Sequence, residues 1–596
     1  MPQYSIGIDL GTTNSALAFT AASGEAPAVE LAPLPQLTNA NEVSAERLLP
    51  SFLYIPGEHD FPPGTTALPW DPEPKYVVGR LAQRRGAEVS SRLVSSAKSW
   101  LSYSSVDRTA AMLPWKAAEG LARISPVDAS AEYLGHLRAA WNQEHPDAPF
   151  DDQDVLVTIP ASFDAIARDL TQRAAEQAGF RNVTMLEEPQ AAFYAWIERH
   201  PDWRQRVAKG DLVLVVDIGG GTTDLTLISV TEREGELQLE RVAVGEHILL
   251  GGDNIDLALA HVVAGDLAAK GTKIDGFQLQ ALWNNCRLAK ERILDPESQT
   301  DETPVTILGR GSSLIGGTIK AKLHREQIEQ VLEGFVPRVP SSEMPRGSRR
   351  AALQEMGLPY AQDPAITRHL AKFLRQQIEG ARRGPSGLAS PTHILFNGGV
   401  MHAPFVRDRL LEVLNGWLSE EGFGPIKPLS GEDLMHAVAR GAAYYGAARK
   451  GQGVRIRGGI ARSYYVGIES AMPAVPGIAA PLKALAVAQF GMEEGTSTTI
   501  PGREFGLIVG QPAEFRFFCS ATRKDDAPGA IIEDVGDELQ ELSPVEVLLT
   551  PDGQSSGIVP VGFETVITET GMLQLWCAAR DGSQKWKLEF NVRETV

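Results

Sequence analysis

One pattern occurs twice in this chain and limits its fold more than any other feature. Tyr4 to Leu10 is an apolar run that breaks at Gly11-Thr12-Thr13-Asn14 and resumes from Ala16 to Phe19. Leu212 to Ile218 breaks at Gly219-Gly220-Gly221-Thr222-Thr223-Asp224 and resumes from Leu225 to Val230. Each copy reads as strand, tight turn and strand. Each also carries an aspartate at the end of its first strand, Asp9 and Asp217. Self-similarity on this scale predicts two related lobes, each opening with a hairpin whose turn holds glycine, threonine and an acidic residue.

The segments between and after the hairpins alternate in type. Asp154 to Ile159 is a buried-type strand ending at Pro160, and a helix follows from about 163 to 179, with Ala167, Leu170, Ala174 and Ala178 at helical spacing. Further helices are expected over 190–199, from Gly251-Gly252-Asp253-Asn254 through 268, and over 278–294, with a strand over 393–396 before the turn Asn397-Gly398-Gly399. This alternation predicts an α/β architecture. The stretch 335–391, with Arg346, Arg349, Arg350 and one helical segment over 366–381, reads as a surface insertion. After Lys450 the pattern changes. Glycines flank a linker over 451–461, and 462–596 reads as an all-β domain, with strands over 462–469, 482–489, 514–520, 545–549, 565–570, 573–579 and 586–592.

Composition excludes several classes. Lys plus Arg total 56 against 75 Asp plus Glu, a net charge of −19 that repels nucleic acid and anionic membrane surfaces. The 3 cysteines have no CxxC spacing, so neither a zinc cage nor a disulfide framework is expected. The N-terminal residues lack a signal-peptide pattern and no run of about 18 apolar residues occurs, so a cytoplasmic setting is expected. No GxxxxGK[ST] segment is present, which excludes a P-loop.

Glycine at a hairpin turn lets backbone N–H groups approach an anion closely, and threonine hydroxyls add donors. Two such turns facing each other would grip a polyphosphate, for which ATP is the natural candidate. Carboxylates placed like Asp9 and Asp217 suit the water shell of Mg²⁺. Asp224 and Glu188 could orient an attacking water, which phosphoryl transfer needs more than covalent help. Each carboxylate taken alone suits turn capping equally well.

The segments IGIDLGTTNS (6–15), VTIPASF (157–163), EEPQAA (187–192), VVDIGGGTTDL (215–225), LGGDNID (250–256), NGGVMHAPFV (397–406) and ARGAAYYGA (439–447) occur in the order found in the 70-kDa heat-shock chaperone family (DnaK-like). The chain resembles that family, strongly to about residue 450 and weakly beyond. The resemblance implies a two-lobed actin-like (ribonuclease-H-like) ATPase domain over 1–450, with lobes divided near 208, followed by a β-sandwich that binds polypeptide. It implies that Gly11, Thr12, Thr13, Asn14, Gly219, Gly220, Gly221 and Thr222 contact phosphates. Asp9 and Asp217 would hold the Mg²⁺ shell, and Gly251, Gly252, Lys290, Gly398 and Gly399 would line the adenosine side. Glu188, Asp217, Asp224 and Thr222 would form the catalytic group, and Pro160 and Arg168 would relay nucleotide state. Unfolded or partner polypeptides, J-domain co-chaperones and exchange factors are the implied partners.

Departures from the family pattern set further expectations. The family's catalytic lysine falls on Gln83, within VGRLAQRRGAEV (78–89). Gln83 cannot supply that charge, and loss of one preorganised donor typically costs about 10²- to 10³-fold in rate, so slow or absent hydrolysis is expected. Arg84 is the nearest substitute, although successive side chains on a strand point in opposite directions. On the adenosine side Arg287, Leu294 and His402 stand where the family has glutamate, serine and arginine. The linker Gly453-Val454-Arg455-Ile456-Arg457-Gly458 lacks the family's acidic, leucine-rich character, and no helical lid is expected after the β domain. The tripeptides His145-Pro146-Asp147 and His200-Pro201-Asp202 match a J-domain signature but read as helix stops. The leading expectation is an ATP-regulated chaperone. The alternatives are an ATP-binding scaffold or exchange partner that hydrolyses little, and a small-molecule kinase of the same superfamily.

Overall fold

The structure is a computed structural model. It describes residues 2–591 apart from 23–27, 104, 116, 118–119, 234–235, 296–297, 310–316, 348–357, 359, 377–381, 430–432, 452–459, 461, 470–481, 494, 502–503, 521–522, 534, 536–538, 543–544, 550–556, 569–571 and 583. Arg349, Arg350 and most of the expected linker, Gly453 to Gly458 included, lie outside the described residues. The chain divides into two compact units, Met1–Leu237 with Arg241–Arg455, and Ile456–Val596 with Gln238–Glu240.

The first unit is built on two sheets of the same plan. In one, the order is Val183–Glu187, Asp154–Ile159, Tyr4–Leu10, Asn14–Ala21 and Glu30–Leu31, with Leu49–Pro50 also on Asn14–Ala21. In the other it is Lys427–Leu429, His393–Asn397, Leu212–Ile218, Thr223–Arg233 and Glu236–Val244. Both central strands have an antiparallel hairpin partner on one side and a parallel neighbour on the other. Strands covered on both faces read as continuous apolar runs. Tyr4–Leu10 and Leu212–Ile218 do so because each lies inside its own core, one around Ile6, Ile8, Leu17 and Val157, the other around Leu214, Val216, Leu225 and Ile394.

Small residues set the closest packing. The helix Ala437–Ala448 lies against both Glu188–Arg199 and Tyr4–Leu10. A methyl group added at Gly441 would meet the Ala191 carbonyl, and one at Gly7 would meet the Ala439 carbonyl and the Ala443 amide. Both HPD tripeptides begin at helix ends: His145 caps Pro126–Glu144 and His200 caps Glu188–Arg199, each ring stacked on the tryptophan one turn earlier.

Two readings from the sequence are corrected. Arg80–Glu88, the segment around Gln83, is a helix and not a strand. Within the stretch expected to be a surface insertion, the helix Ile366–Arg375 buries Ile366, Leu370, Ala371, Phe373 and Leu374 in the core of the second lobe.

In the second unit, Ile531–Ile532, Leu482–Ala488, Ser463–Glu469, Phe517–Ser520 and Gln540–Glu541 form one sheet. Thr496–Thr499, Gly557–Ile567, Met572–Ala579 and Lys585–Asn591 form another, joined by Phe505–Val509. Tyr464, Leu485, Phe517, Val561, Leu573 and Leu588 share one apolar core, so residues of both sheets contribute to it. The strands Thr496–Thr499 and Phe505–Val509 were not legible in the sequence, being short, polar or interrupted by glycine. No helix among the described residues is long and apolar enough to cross a membrane.

Candidate functional site

The two hairpin turns meet inside the first unit. A methyl group added at Gly220 would run into the Thr13 hydroxyl, and one at Gly221 would lie 2.9 Å from Thr12 Cγ2 and 2.7 Å from Ser99 Oγ. The second turn is tied to the start of the helix Gly252–Ala269, since Gly252 N donates to Gly219 O (3.0 Å) and Asp253 N donates to Gly220 O (2.7 Å). Gly398, at φ 87°, lies so close to Asp217 that a side chain there would sit 2.5 Å from Asp217 Oδ1. The structure thus brings Thr12, Thr13, Gly219, Gly220, Gly221, Gly251, Gly252 and Gly398 into one neighbourhood. Thr222 closes the second turn by accepting from Gly219 N (2.9 Å). Gly11 and Asn14 bound the first turn, and Gly399 begins the short turn Gly399–His402.

Register explains how the acidic groups are placed. Asp9 pairs with Ala16 across its hairpin and with Thr158 on the parallel side. Asp217 occupies the equivalent position, with Asp224 across the hairpin and Asn397 on the parallel side. Asn397 Nδ2 donates to Asp217 Oδ2 (2.6 Å). Burial raises the pKa of Asp9 despite Lys98 nearby, and burial with the charges of Asp224 and Asp9 pushes Asp217 up to about 7. Glu188, at the start of its helix, is pushed up to about 8 by burial and by Asp9, Asp217 and Asp224, which together outweigh Lys98.

The sequence reading missed Lys98. It lies on the short buried helix Ala97–Leu101 and donates to Glu188 Oε1. Desolvation works against its charge, but Glu188, Asp9 and Asp217 prevail and hold its pKa above the ordinary lysine value. Gln83, at the position expected for the catalytic lysine, instead accepts from Arg80 Nη1 (3.1 Å). Arg84 does not substitute, because it is turned to Thr38 O and Asn39 Oδ1 at the surface. Lys98 thus brings a cation to the acidic cluster from an element other than the one that carries Gln83. The available signal was a lone lysine among residues that are otherwise small or apolar, SSAKSWL (95–101).

Ser99 on that helix and Ser96 and Ser102 at its two ends are spaced three apart. Ser96 Oγ donates to Asp253 Oδ2 (2.8 Å), Ser99 lies beside Gly221, and Ser102 Oγ is 3.0 Å from His247 Nε2. Ser96 takes φ 54°, a left-handed conformation costly for serine, where its hydroxyl meets Asp253. Lys290 reaches Asp256 Oδ1 (2.7 Å), and Arg287 bridges Asp253 and Asp256 (2.5 and 2.9 Å). The arginine at the family glutamate position is thus neutralised within the second lobe. Arg168 approaches Glu187 (3.6 Å) and donates to Phe163 O and Ala161 O, on either side of Ser162.

The arrangement can be tested against a bound anion and cation. Its walls are glycines whose missing side chains leave backbone approachable, and its floor is a set of desolvated carboxylates that a cation would relieve. Among the described residues, Ser99 Oγ beside Gly221 and Asn397 Oδ1 beside Asp217 are buried without a hydrogen-bond partner. Among the same residues no three His, Cys, Asp or Glu side chains converge as a ready-made metal cage. Mg²⁺ does not need one, since it keeps most of its water and takes one or two carboxylates. The residues present fit such a pair of ligands.

The fold and this neighbourhood define a class: a duplicated α/β protein whose lobes meet at acidic, glycine-rich turns. The family model described as Hsp70 protein matches residues 5–345. A Chaperone protein HscA homolog of Bordetella pertussis is 30% identical over 368 residues, covering 60% of this chain and 50% of that protein. Another, of Azotobacter vinelandii, is 29% identical over 348 residues, covering 56% and 47%. A third, of Acinetobacter baumannii strain SDF, is 32% identical over 264 residues, covering 43% and 36%. The matched region spans half or less of each of these relatives. The chain belongs to the Hsp70 family. Membership implies an actin-like ATPase domain, and the paired sheets of the first unit are mixed α/β, in keeping with it.

Proposed function

We propose that this protein binds Mg-ATP between its two hairpin turns, hydrolyses it, and uses the nucleotide state to control polypeptide binding by the all-β unit, which we read as a sandwich. The single observation that carries the proposal is the convergence of the Thr13 and Gly220 turns over Asp9, Asp217, Glu188 and Lys98. Thr12, Thr13, Asn14 and the backbone of Gly11 and Gly219 to Thr222 would take the phosphates. Gly251, Gly252, Lys290, Gly398 and Gly399 would line the nucleoside side. Asp9 and Asp217 would hold Mg²⁺ through its water shell, and the ion would supply positive charge to the phosphate oxygens.

Hydrolysis then depends on residues of this chain. Asp224, Glu188 and Thr222 would orient the attacking water, and Lys98 would stabilise charge developing on the transferred group. The scaffold alternative drew its support from Gln83 together with the altered linker and the other departures from the family pattern. Lys98 answers the first of these, so we favour hydrolysis. Polypeptides, J-domain proteins and exchange factors are the proposed partners, in a cytoplasmic setting.

The test is equilibrium binding of Mg-ATP to the wild type and to Asp217→Asn, followed by peptide-library binding with and without ATP. Weaker Mg-ATP binding by the variant and ATP-sensitive peptide binding by the wild type are expected. Unchanged affinity would sink the metal assignment, and peptide binding indifferent to ATP would remove the chaperone reading.

A further inference from the structure

Next to Asp224 a chain of polar side chains crosses between the lobes. Ser162 Oγ donates to Asp224 Oδ1 and lies 2.7 Å from His247 Nδ1, whose other nitrogen, Nε2, lies 3.0 Å from Ser102 Oγ. Ser102 Oγ also donates to Ser99 O (2.8 Å). Asp224 and His247 belong to the second lobe. Ser162 follows Pro160, and Ser102 follows the helix that carries Lys98.

Counting protons shows what this chain can do. A hydroxyl has one proton to donate, and neutral imidazole has one donor and one acceptor nitrogen. With Ser162 committed to Asp224 and Ser102 to the Ser99 carbonyl, both ring nitrogens must donate, which only the imidazolium does. In the neutral ring with its proton on Nε2, the Ser162 hydroxyl turns from Asp224 to Nδ1. The same four groups therefore have two fully defined hydrogen-bonding states that differ by one proton.

We propose that Asp224, Ser162 and His247 form a proton relay that accepts the proton released by the attacking water during ATP hydrolysis. The proposal rests on the nucleotide reading of the site. The water oxygen forms a bond to the γ-phosphorus as the bond from that phosphorus to the β–γ bridging oxygen breaks, its electron pair leaving with ADP. The water proton passes to Asp224. Asp224 returns it to Ser162 Oγ while Ser162 passes its own proton to His247 Nδ1. The imidazolium later releases one proton to solvent, which balances ATP and water against ADP, phosphate and a proton. His247 touches no reacting atom, so it is a relay and positioning residue that acts through Ser162.

The surroundings suit a proton acceptor. Burial lowers the His247 pKa, with Lys98 acting in the same direction and Asp224 and Asp164 acting against it. Asp164 is itself held by Arg108 (3.1 and 3.0 Å), and the adjacent Glu246 is paired with Lys372 (2.7 Å). Burial thus favours the neutral ring, whose Nδ1 can accept a proton.

The experiment is single-turnover cleavage of bound Mg-ATP from pH 5.5 to 9 by the full chain, for wild type, His247→Gln and Ser162→Ala, with nucleotide affinity measured on the same samples. Both variants are expected to retain binding and to cleave about 10- to 100-fold more slowly, the lower end of a typical general-base contribution and below. In the wild type the rate should fall as pH drops, and the part of that fall due to His247 should be missing from both variants, while any fall due to Asp217 and Glu188 is common to all three proteins. If His247→Gln fails to fold, Ser162→Ala carries the test alone. Unchanged rates, or a pH profile in both variants that is identical in shape to that of the wild type, would overturn the relay. So would a wild type that binds ATP and cleaves none of it. A wild type that binds no Mg-ATP would overturn the nucleotide reading and the relay with it.

Discussion

The two hairpins of the first unit are copies in strand order, in turn chemistry and in the position of their aspartates, yet they differ at one cross-strand position. Opposite Asp9 stands Ala16, whereas opposite Asp217 stands Asp224. The first lobe instead contributes Lys98 and Glu188, and the second adds Asn397 and His247. A duplicated scaffold has thus become asymmetric, with the buried cation on one lobe and the second aspartate, with His247, on the other. Neither lobe alone assembles the whole set of charges, so closure of the two lobes is what completes it.

The comparison breaks most decisively at Lys98. Lys98→Gln should lower single-turnover cleavage by about 10²- to 10³-fold, as expected for one preorganised electrostatic donor. Gln83→Lys in the wild-type background should leave the rate unchanged, because that side chain points to Arg80. A rate increase with Gln83→Lys would show that the cation on the first lobe is incomplete.

Making the hairpins alike should be costly. Ala16→Asp places a carboxylate across from Asp9 at a position 1% exposed. With no partner for that charge, a loss of about 3 kcal/mol is expected in the denaturant stability of the first unit, comparable to leaving one buried charge uncompensated. An unchanged unfolding midpoint would mean that the first turn tolerates the acidity of the second.

The remaining effect concerns pH. Asp217 and Glu188 titrate near 7 and 8 in the folded protein, above ordinary carboxylates, so the fold binds more protons than the unfolded chain between about pH 4 and 8. Their contribution is fully present at low pH and is lost as pH rises through 7 and 8. The midpoint of thermal unfolding without nucleotide should therefore fall by a few degrees from pH 5.5 to 8.5. Asp217→Asn should flatten that slope, and an equally steep slope in the variant would remove Asp217 from the explanation.

Much of this protein is determined locally. The runs Tyr4–Leu10 and Leu212–Ile218 could hardly be anything but buried strands, and the glycines that break them leave few alternatives to a tight turn. Strand, turn and acidic residue were therefore readable in order, and family resemblance followed from the same segments. Strand identity in the all-β unit was readable where apolar residues dominate, as in Leu482–Ala488, and was lost at Thr496–Thr499, whose pairing with Gly557–Ile567 is nonlocal.

What only the tertiary structure decided is which distant side chains share the acidic cluster. Gln83 and Lys98 both lie in the first lobe, and nothing in their local sequence says that the Arg80–Glu88 helix turns one toward Arg80 while the next buried helix delivers the other to Glu188. Ser102, Ser162 and His247 look like ordinary polar residues until the lobes are packed together. Secondary structure follows from periodicity and backbone preference over a few neighbouring residues, whereas electrostatics depends on distance in space. The charge balance of a buried cluster therefore becomes visible only when the chain has closed upon itself.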